Sequence, residues 1–280
     1  MSAPHRSRVL WSSVSALLLS LPAAAQSPAR IVSLAPSVTE VLFEAGAGAR
    51  VVGVTSYCRF PPAALSLPKI GGYLTPNYEA LVALQPDLVV TLAEHADLEP
   101  RIRALGIPIL RVDHRSLEGI IRSVEQVGER CGVATRAKRA AGALRQTLAA
   151  ASRLISPPRP RVLICFGRAE DFRRLTAAAP GTIHDDLITY AGGVNALTSG
   201  SVSYPTLSAE SVIRLDPDVI IEFSSGSVDA AARRRQWRRL DSLRAVRNGR
   251  VHVFTDELLN VPGPRFVRFA GTIARAISGD

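Results

Sequence analysis

The chain is poor in cysteine, histidine and aromatic residues, and these shortages exclude several classes of protein. Its 280 residues include 3 cysteines, 5 histidines and 5% aromatic residues. Three cysteines are too few for a disulfide-stapled scaffold. Cys58, Cys131 and Cys165 allow one bridge at most, and the sequence does not say which pair would form it. No two histidines have the spacing of a metal-binding motif, so we expect no metal site.

The sequence also lacks the short motifs of common enzymes. It has no Gly-x-Ser-x-Gly elbow, no His-Glu-x-x-His helix and no phosphate-binding P-loop. Residues 46–51 begin like a dinucleotide-binding fingerprint, but Val51 stands where the third glycine belongs. Residues 184–186 place a histidine beside two aspartates, and two acids at a helix start are favourable without any metal. We therefore expect a binding protein with no catalytic residue and no cofactor.

The hydrophobic run at the N-terminus is too short to span a membrane. Residues 9–21 are apolar with interspersed serines, follow Arg6 and Arg8, and precede the small residues 23–25. This is the pattern of a cleaved secretory signal. No cysteine follows it, so nothing indicates a lipid anchor. We expect an exported, periplasmic protein whose mature chain begins near Gln26.

Acidic residues are fewer than basic ones, 24 against 34, and the formal net charge is +10. Loss of Arg6 and Arg8 with the signal peptide would lower it from +10 to +8. Much of the excess lies in one segment, at Arg233, Arg234, Arg235, Arg238 and Arg239. An anion or nucleic-acid patch would explain this cluster. We favour a solvated helix face, because an exported protein rarely meets nucleic acid, and we expect no nucleic-acid partner.

An internal repeat is the most informative feature of the sequence. Glu79 begins Glu-Ala-Leu-Val-Ala-Leu-Gln-Pro-Asp-Leu-Val-Val, and Glu210 begins Glu-Ser-Val-Ile-Arg-Leu-Asp-Pro-Asp-Val-Ile-Ile. A tyrosine lies six residues before each glutamate, Tyr73 in the first copy and Tyr204 in the second. One copy falls in each half of the chain. This indicates two lobes of similar build with a ligand held between them.

Apolar strands alternate with helical segments along most of the chain. This order predicts an α/β fold of two lobes, each with a parallel sheet flanked by helices. Ser37 and Glu40 have capping-box spacing at the first helix. Residues 135–155 predict one long, rigid helix of roughly 30 Å that joins the lobes and limits hinge motion. The predicted segments are a signal peptide at 1–25, an N-terminal lobe at 26–133, the linking helix at 134–157 and a C-terminal lobe at 158–280.

Three tyrosines lie in loops rich in proline and glycine, where an aromatic ring has no core to fill. Tyr57 and Tyr73 belong to the first lobe and Tyr204 to the second, near the carboxyl edge of each predicted sheet. Ligands bind at that edge in open α/β sheets, and such rings suit a large, planar, partly apolar ligand. Packing of the rings on their own lobe is the alternative. The shared spacing of Glu79 and Glu210 favours pairing with arginines on a partner over simple stabilisation of a helix N-terminus.

Several segments resemble the helical-backbone, or class III, periplasmic binding proteins, which serve ABC importers of cobalamin, iron–siderophores and haem. The similar segments are residues 30–40, residues 53–62, both repeats, and Pro-Gly-Pro-Arg at 262–265. They extend over nearly all of the chain after the predicted signal peptide. Residues 53–62 and 262–265 are most similar to the cobalamin-binding members.

The resemblance implies particular ligand-binding residues in a cleft between the lobes. It implies that Tyr57, Tyr73 and Tyr204 line this cleft for a corrinoid, with Pro36 and Pro205 beside them. The family often has tryptophan at the positions of Tyr73 and Tyr204, and this chain has tyrosine at both.

The resemblance also implies a partner in the inner membrane. Glu79 and Glu210 correspond to the docking glutamates that pair with arginines on the two subunits of an ABC permease. The implied function is capture of cobalamin or a related corrinoid by a monomer without enzymatic activity, followed by delivery to the importer.

Other ligands remain open at this point. An iron–siderophore or haem receptor of the same class is the first alternative, and Arg59, Arg173 and Arg265 are the candidates to bind an anionic siderophore. A tetrapyrrole-processing enzyme on the same scaffold is the second. Cys58, which follows Tyr57, is a candidate for contact with a metal carried by the ligand.

Overall fold

The computed structural model describes residues 27–154, 157–198, 200, 202–224, 226 and 228–279. The predicted signal peptide and the predicted mature terminus at Gln26 lie outside these residues. Among the helices of the described part, none is both long and apolar enough to cross a membrane.

The N-terminal lobe is built on a four-stranded parallel sheet. Its strands are β1 (Ile31–Ser33), β2 (Val51–Val54), β3 (Leu88–Thr91) and β4 (Ile109–Arg111), in the order β2-β1-β3-β4. Its helices are α1 (Pro36–Ala45), α2 (Tyr78–Ala83), α3 (Glu99–Ala104) and α4 (Leu117–Arg130). Every residue of β1 and β3 is buried, as expected for strands covered by helices on both faces. The predicted parallel sheet is confirmed in this lobe.

The C-terminal lobe has a mixed sheet. Its strands are β5 (Arg161–Phe166), β6 (Leu175–Ala177), β7 (Val194–Asn195), β8 (Thr206–Leu207), β9 (Val219–Phe223) and β10 (Val251–Phe254). The part made by β10, β9, β5 and β7 is parallel, and the predicted parallel pairing is confirmed for β5, β9 and β10. The prediction omitted the two-residue strand β7, and it omitted β6 and β8, which extend the sheet with antiparallel pairing. The segment between β5 and β6 is too short for the crossover that parallel pairing requires.

The remaining helices form a layer between the two sheets and a layer outside the second sheet. They are α5 (Ala134–Ser152), α6 (Ile183–Tyr190), α7 (Ala209–Leu215), α8 (Ala230–Gln236), α9 (Arg244–Arg247) and α10 (Pro264–Ser278). Helices α1, α4, α5, α6 and α10 pack on one another. Buried side chains from both lobes join one hydrophobic cluster between the sheets. Separate cores lie on the outer faces, under α2 and α3 in the first lobe and under α7 and α9 in the second.

The two lobes are joined by more than the predicted linking helix. Helix α5 has 19 residues and ends at Ser152, whereas the predicted end at residue 155 lies outside the described residues. It packs along α4 and α10, and these helices share the central core. Because close-packed cores deform little, this shared layer resists hinge rotation more strongly than a single helix would.

The capping box predicted at the start of α1 does not form. The helix begins at Pro36, whose fixed φ suits the first helical position. The Ser37 hydroxyl lies 2.9 Å from Nδ1 of His114, and the Glu40 carboxylate binds Arg265 at 2.6 Å. Both side chains therefore have tertiary partners in place of the local hydrogen bond that their spacing predicted.

The sequence repeat is also a structural repeat. The Asp87 carboxylate accepts a hydrogen bond from the backbone N–H of Arg30 at 2.9 Å, and Asp218 accepts one from Arg161 at 2.8 Å. Each arginine guanidinium also donates to a backbone carbonyl at the end of the repeat helix, α2 or α7, at 2.8 and 2.7 Å. The same clamp therefore fixes the helix to its sheet in both lobes and places the two copies equivalently.

Candidate functional site

A cleft between the lobes lies at the carboxyl ends of the strands in both sheets. It consists of a cavity of about 560 Å³ next to the N-terminal lobe and one of about 410 Å³ in the C-terminal lobe. We call them the N-lobe cavity and the C-lobe cavity. Asn260 and Pro262 line both, so the two adjoin. The cleft occupies the edge at which open α/β sheets bind ligands and has the size of a small-molecule site.

The N-lobe cavity contains three of the five residues predicted to bind the ligand. Pro36, Tyr57 and Tyr73 line it. Tyr57 is 62% exposed, so its ring offers surface that a ligand can cover. Tyr73 is half-buried and packs edge-on against His95, with ring centroids 4.7 Å apart. Burial, with a smaller effect of the nearby Glu94, raises the pKa of Tyr73 to about 12, so its hydroxyl stays a hydrogen-bond donor.

The C-lobe cavity contains Tyr204 within a group of aromatic rings. The Tyr204 hydroxyl lies 3.3 Å from Nδ1 of His184. The His184 ring packs against Phe166, Phe223 and Phe266, with centroid distances of 5.1, 5.8 and 5.5 Å. Burial lowers the pKa of His184 to about 4, so the imidazole is neutral at neutral pH. This cavity therefore presents flat apolar surface with one imidazole and one phenol.

Pro205 is not among the described residues that line either cavity. Its carbonyl accepts a hydrogen bond from the backbone N–H of Ala177 at 3.0 Å, which extends the pairing of β6 with β8. Because proline has no N–H to donate, it suits such an edge position. The structure thus gives Pro205 a place in the sheet edge that carries Tyr204, and not a place in the cleft wall.

Cys58 is turned away from the cleft as well. It is 1% exposed, and its Sγ lies 3.2 Å from the hydroxyls of Thr39 and Thr55. Cys131 and Cys165 are also buried, and all three cysteines are free thiols. Contact of Cys58 with a metal in the ligand is therefore not compatible with this structure.

Of the three arginines considered for an anionic ligand, only Arg59 lines the cleft. Arg173 pairs on the surface with a neighbouring aspartate at 2.9 Å. Arg265 is held by a glutamate of α1 and lines a separate small cavity. The charged side chains among the described cleft residues are Arg59, Glu94 and Asp256. The cleft is therefore dominated by aromatic and aliphatic surface.

The sequence analysis missed His114 as a cleft residue. It follows β4, as the other N-lobe residues of the cleft follow their strands. Its Nδ1 is bonded to Ser37, and its Nε2 is buried without a hydrogen-bond partner. Burial lowers its pKa to about 4. Its position directly after a predicted strand was the one available signal.

The cluster at residues 184–186 separates in the structure. His184 lies in the C-lobe cavity, whereas Asp185 accepts a hydrogen bond from the backbone N–H of Gly181 at 2.9 Å. Asp186 accepts one from the N–H of Leu117 at 3.0 Å, across the lobe boundary. In the described part of the chain, no group of three His, Cys, Asp or Glu side chains has an arrangement that could hold a metal.

Glu79 and Glu210 occupy equivalent positions on the two lobes. Each is the second residue of a short helix, α2 or α7, and each helix has a side-chain N-cap, Asn77 or Ser208. Both glutamates are exposed. Neither forms an ion pair within the described residues. Two matched carboxylates are thus presented to the outside of the molecule.

The fold and the cleft together define a two-lobed α/β binding protein whose ligand site lies between rigidly joined lobes. Residues 31–258 match the family described as periplasmic binding protein. This chain belongs to that family.

Individual relatives agree with this assignment over both lobes. The chain is 31% identical over 241 residues to a vitamin B12-binding protein of Vibrio cholerae, covering 84% of each chain. The crystal structure of the periplasmic vitamin B12-binding protein BtuF of Vibrio cholerae matches with a TM-score of 0.75 and 28% identity, over 90% of this chain and 97% of that one. The apo periplasmic haem-binding protein RhuT from Roseiflexus matches with a TM-score of 0.73 and 29% identity, over 89% and 98%. The predicted relationship to the class III periplasmic binding proteins is confirmed.

Proposed function

We propose that the protein binds cobalamin or a related corrinoid in the cleft and delivers it, chemically unchanged, to an ABC importer. The observation that carries this proposal is the lining of the cleft: Tyr57 and Tyr73 line the N-lobe cavity, Tyr204 lines the adjoining C-lobe cavity, and few charges are present. Vitamin B12-binding proteins among the relatives support the same ligand class.

Binding of a corrinoid would rest mainly on burial of its flat macrocycle. Each Å² of apolar surface removed from water contributes about 25 cal/mol, and aromatic rings provide such surface with little entropy cost. The N-terminus of α1, at Pro36 and Ser37, lies in the cleft and is available to polar groups of the ligand. Because the lobes share one core, little free energy is spent on closing them.

Haem is the second candidate ligand. A neutral imidazole and a phenol 3.3 Å apart, His184 and Tyr204, are side-chain types that bind haem iron. A relative of known structure at 29% identity is a haem-binding protein. An anionic siderophore has weaker support, since Arg59 is the one arginine of the three candidates that lines the cleft.

The proposed partner is the permease of the importer, contacted through Glu79 and Glu210. Periplasmic localisation is part of this proposal, and the family and the predicted signal peptide, which lies outside the described residues, support it. The equivalent positions of the two glutamates fit a partner with two similar subunits, because one geometry can be used twice.

Calorimetric titration of the purified protein with cyanocobalamin, and separately with hemin, tests the ligand. We expect stoichiometric binding of cyanocobalamin at micromolar concentration or below. Tyr57→Ala and Tyr204→Ala should each weaken it about tenfold or more, since a buried aromatic contact is worth about 1–2 kcal/mol. Tyr78→Ala is the matched control, because Tyr78 packs in the outer core of the N-terminal lobe and should leave affinity unchanged.

The outcomes separate the two ligands. Binding of hemin alone, with loss on His184→Ala, would move the assignment to haem. Failure to bind either ligand would contradict both candidates. Tryptophan emission is unsuitable as the readout, because Trp237 is buried in the outer core of the C-terminal lobe.

A further inference from the structure

A cavity unrelated to the cleft lies on the outer side of the C-terminal lobe. Its volume is about 510 Å³. We call it the arginine cavity and define it by six of its lining residues, Arg234, Arg235, Trp237, Arg238, Arg247 and Gly249. None of the described residues that line it is acidic.

A buried carboxylate holds α8 and the turn that follows it against the lobe, beside this cavity. Glu222 of β9 is fully buried and accepts hydrogen bonds from Nε of Arg233 at 2.9 Å and from Nε1 of Trp237 at 2.6 Å. These two contacts fix the inward face of α8 and of the turn that follows. Arg234 of α8 and Arg238 of the turn both line the cavity and are exposed. Arg247, at the end of α9, adds a lining residue from a second helix.

The positive charge in the arginine cavity is poorly compensated. Arg235 has one weak ion pair, with Asp229 at 3.6 Å. Arg234, Arg238 and Arg247 have no carboxylate partner among the described residues. Guanidinium groups gathered around one concavity repel one another, and a bound anion relieves that repulsion. The four arginines are exposed to solvent, in agreement with the predicted solvated helix face. The concave site lined from two helices is an additional feature, which a solvated face does not require.

We propose that the arginine cavity binds a phosphate-class oxyanion, supplied by a free polyphosphate or by the headgroup of an acidic phospholipid. The planar fork of a guanidinium pairs with two phosphate oxygens at once, and several such forks suit a polyvalent anion. Val251, at the amino end of β10, lines this cavity, whereas the cleft lies at the carboxyl ends of the strands. Both sites can therefore be occupied together, and the proposal does not depend on the ligand of the cleft.

Titration of the protein without its predicted signal peptide, from Gln26 onward, with sodium pyrophosphate tests the proposal, with heat and Trp237 emission as readouts. Trp237 lines the cavity, and the other tryptophan, Trp11, lies in the predicted signal peptide. We expect saturable binding that Arg234→Gln/Arg238→Gln weakens about tenfold or more. Arg247→Gln, on α9, should weaken it as well.

The control removes two positive charges elsewhere, by Arg139→Gln/Arg153→Gln. Both arginines are exposed on or just after α5, so the net charge falls equally while the cavity is intact, and binding should be unchanged. An equal loss of pyrophosphate affinity in the control variant, or no saturable binding of pyrophosphate by the wild type, would overturn the proposal.

Flotation with vesicles identifies the source of the anion. Binding to phosphatidylglycerol vesicles but not to phosphatidylcholine vesicles, with competition by pyrophosphate, would support a lipid headgroup. Pyrophosphate binding without vesicle binding would support a free anion. Vesicle binding that Arg234→Gln/Arg238→Gln leaves unchanged would contradict the headgroup at this site.

Discussion

Glu40 and Arg265 show how one residue pair connects the lobes. Glu40 lies on α1 and is 3% exposed at its side chain, and Arg265 lies at the start of α10, 2.6 Å away. The guanidinium also stacks on the ring of Phe60 at 4.0 Å. The other carboxylate oxygen of Glu40 is buried without a partner, and burial raises the pKa of this group despite the arginine. The carboxylate therefore depends on Arg265 to remain charged.

Removal of Arg265 should destabilise the protein strongly. Arg265→Ala leaves a buried carboxylate without its cation, and we expect the free energy of unfolding to fall by about 3 kcal/mol. Arg268→Ala is the matched control, because Arg268 joins the same two helices through Glu44 at 2.5 Å but is 47% exposed. Its loss should cost under about 1 kcal/mol. If urea unfolding gave similar losses of free energy for Arg265→Ala and Arg268→Ala, burial would not govern the strength of the Arg265 pair.

The two cleft histidines make stability depend on pH. Burial lowers the pKa of His114 and His184 from 6.5 to about 4. Between these values the unfolded chain binds more protons than the folded one, so stability falls as the pH drops from 6.5 towards 4. We expect the unfolding midpoint to decrease over that range.

A variant that lacks both histidines, measured over the same pH range, provides the control for this prediction. His114→Gln/His184→Gln should flatten the pH dependence, although burial also lowers the pKa of His95 and His252, so some slope should remain. Glu40, with its raised pKa, acts in the opposite direction. A slope identical in the wild type and the double variant would refute the assignment to His114 and His184.

At the scale of elements, the contact between α4 and α5 depends on a glycine. A Cβ built on Gly128 of α4 would lie 2.1 Å from the Cβ of Ala137 on α5. The helices therefore approach too closely for any side chain at this position. This contact belongs to the shared layer that holds the lobes together.

Two glycine substitutions should have opposite effects. Gly128→Ala forces α4 and α5 apart, and we expect a loss of about 1–3 kcal/mol. Gly142→Ala, in the middle of α5, meets nothing within 4 Å and should gain up to about 1 kcal/mol, since alanine favours the helix. Thermal melting of both variants checks the pair. Stabilisation by Gly128→Ala would be incompatible with the close helix contact.

Element order was well predicted from the sequence, and some element details were not. The alternation of apolar strands and helical segments predicted most of the parallel strands. Residues 135–155, which contain no proline, predicted α5. Strands β6, β7 and β8 were missed because they are short and have little alternation of their own. The capping box at Ser37 failed because its members found partners in other parts of the fold.

At the scale of the whole molecule, the central helical layer and the repeat have different consequences. The layer joins the two lobes through one shared core. The repeat places two exposed glutamates, Glu79 and Glu210, at equivalent positions on the outside of the lobes. Because a shared close-packed core resists hinge rotation, we expect the distance between Glu79 and Glu210 to change little when a ligand binds. Such a constant spacing suits recognition by a two-subunit partner.

Charge reversal at both glutamates should separate transport from ligand binding. With Glu79→Lys/Glu210→Lys we expect ligand affinity to stay unchanged and uptake by cells that express the importer to fall about tenfold or more, because docking charges are lost. Glu129→Lys/Asp241→Lys is the control, since both residues are exposed and lie outside the repeat. Normal uptake by the first variant would exclude docking through these glutamates.

The sequence by itself determined the α/β class, the order of most elements, the internal repeat and the loop positions of Tyr57, Tyr73 and Tyr204. These features depend on local periodicity and on the spacing of residues close together in the chain, both of which can be read from the sequence. Only the tertiary structure decided that Glu40 meets Arg265, that His114 and His184 reach the cleft, that Pro205 and Cys58 do not, and that two helices gather arginines around one cavity. Such contacts join residues far apart in the chain, and no local pattern encodes which distant partner a side chain will meet.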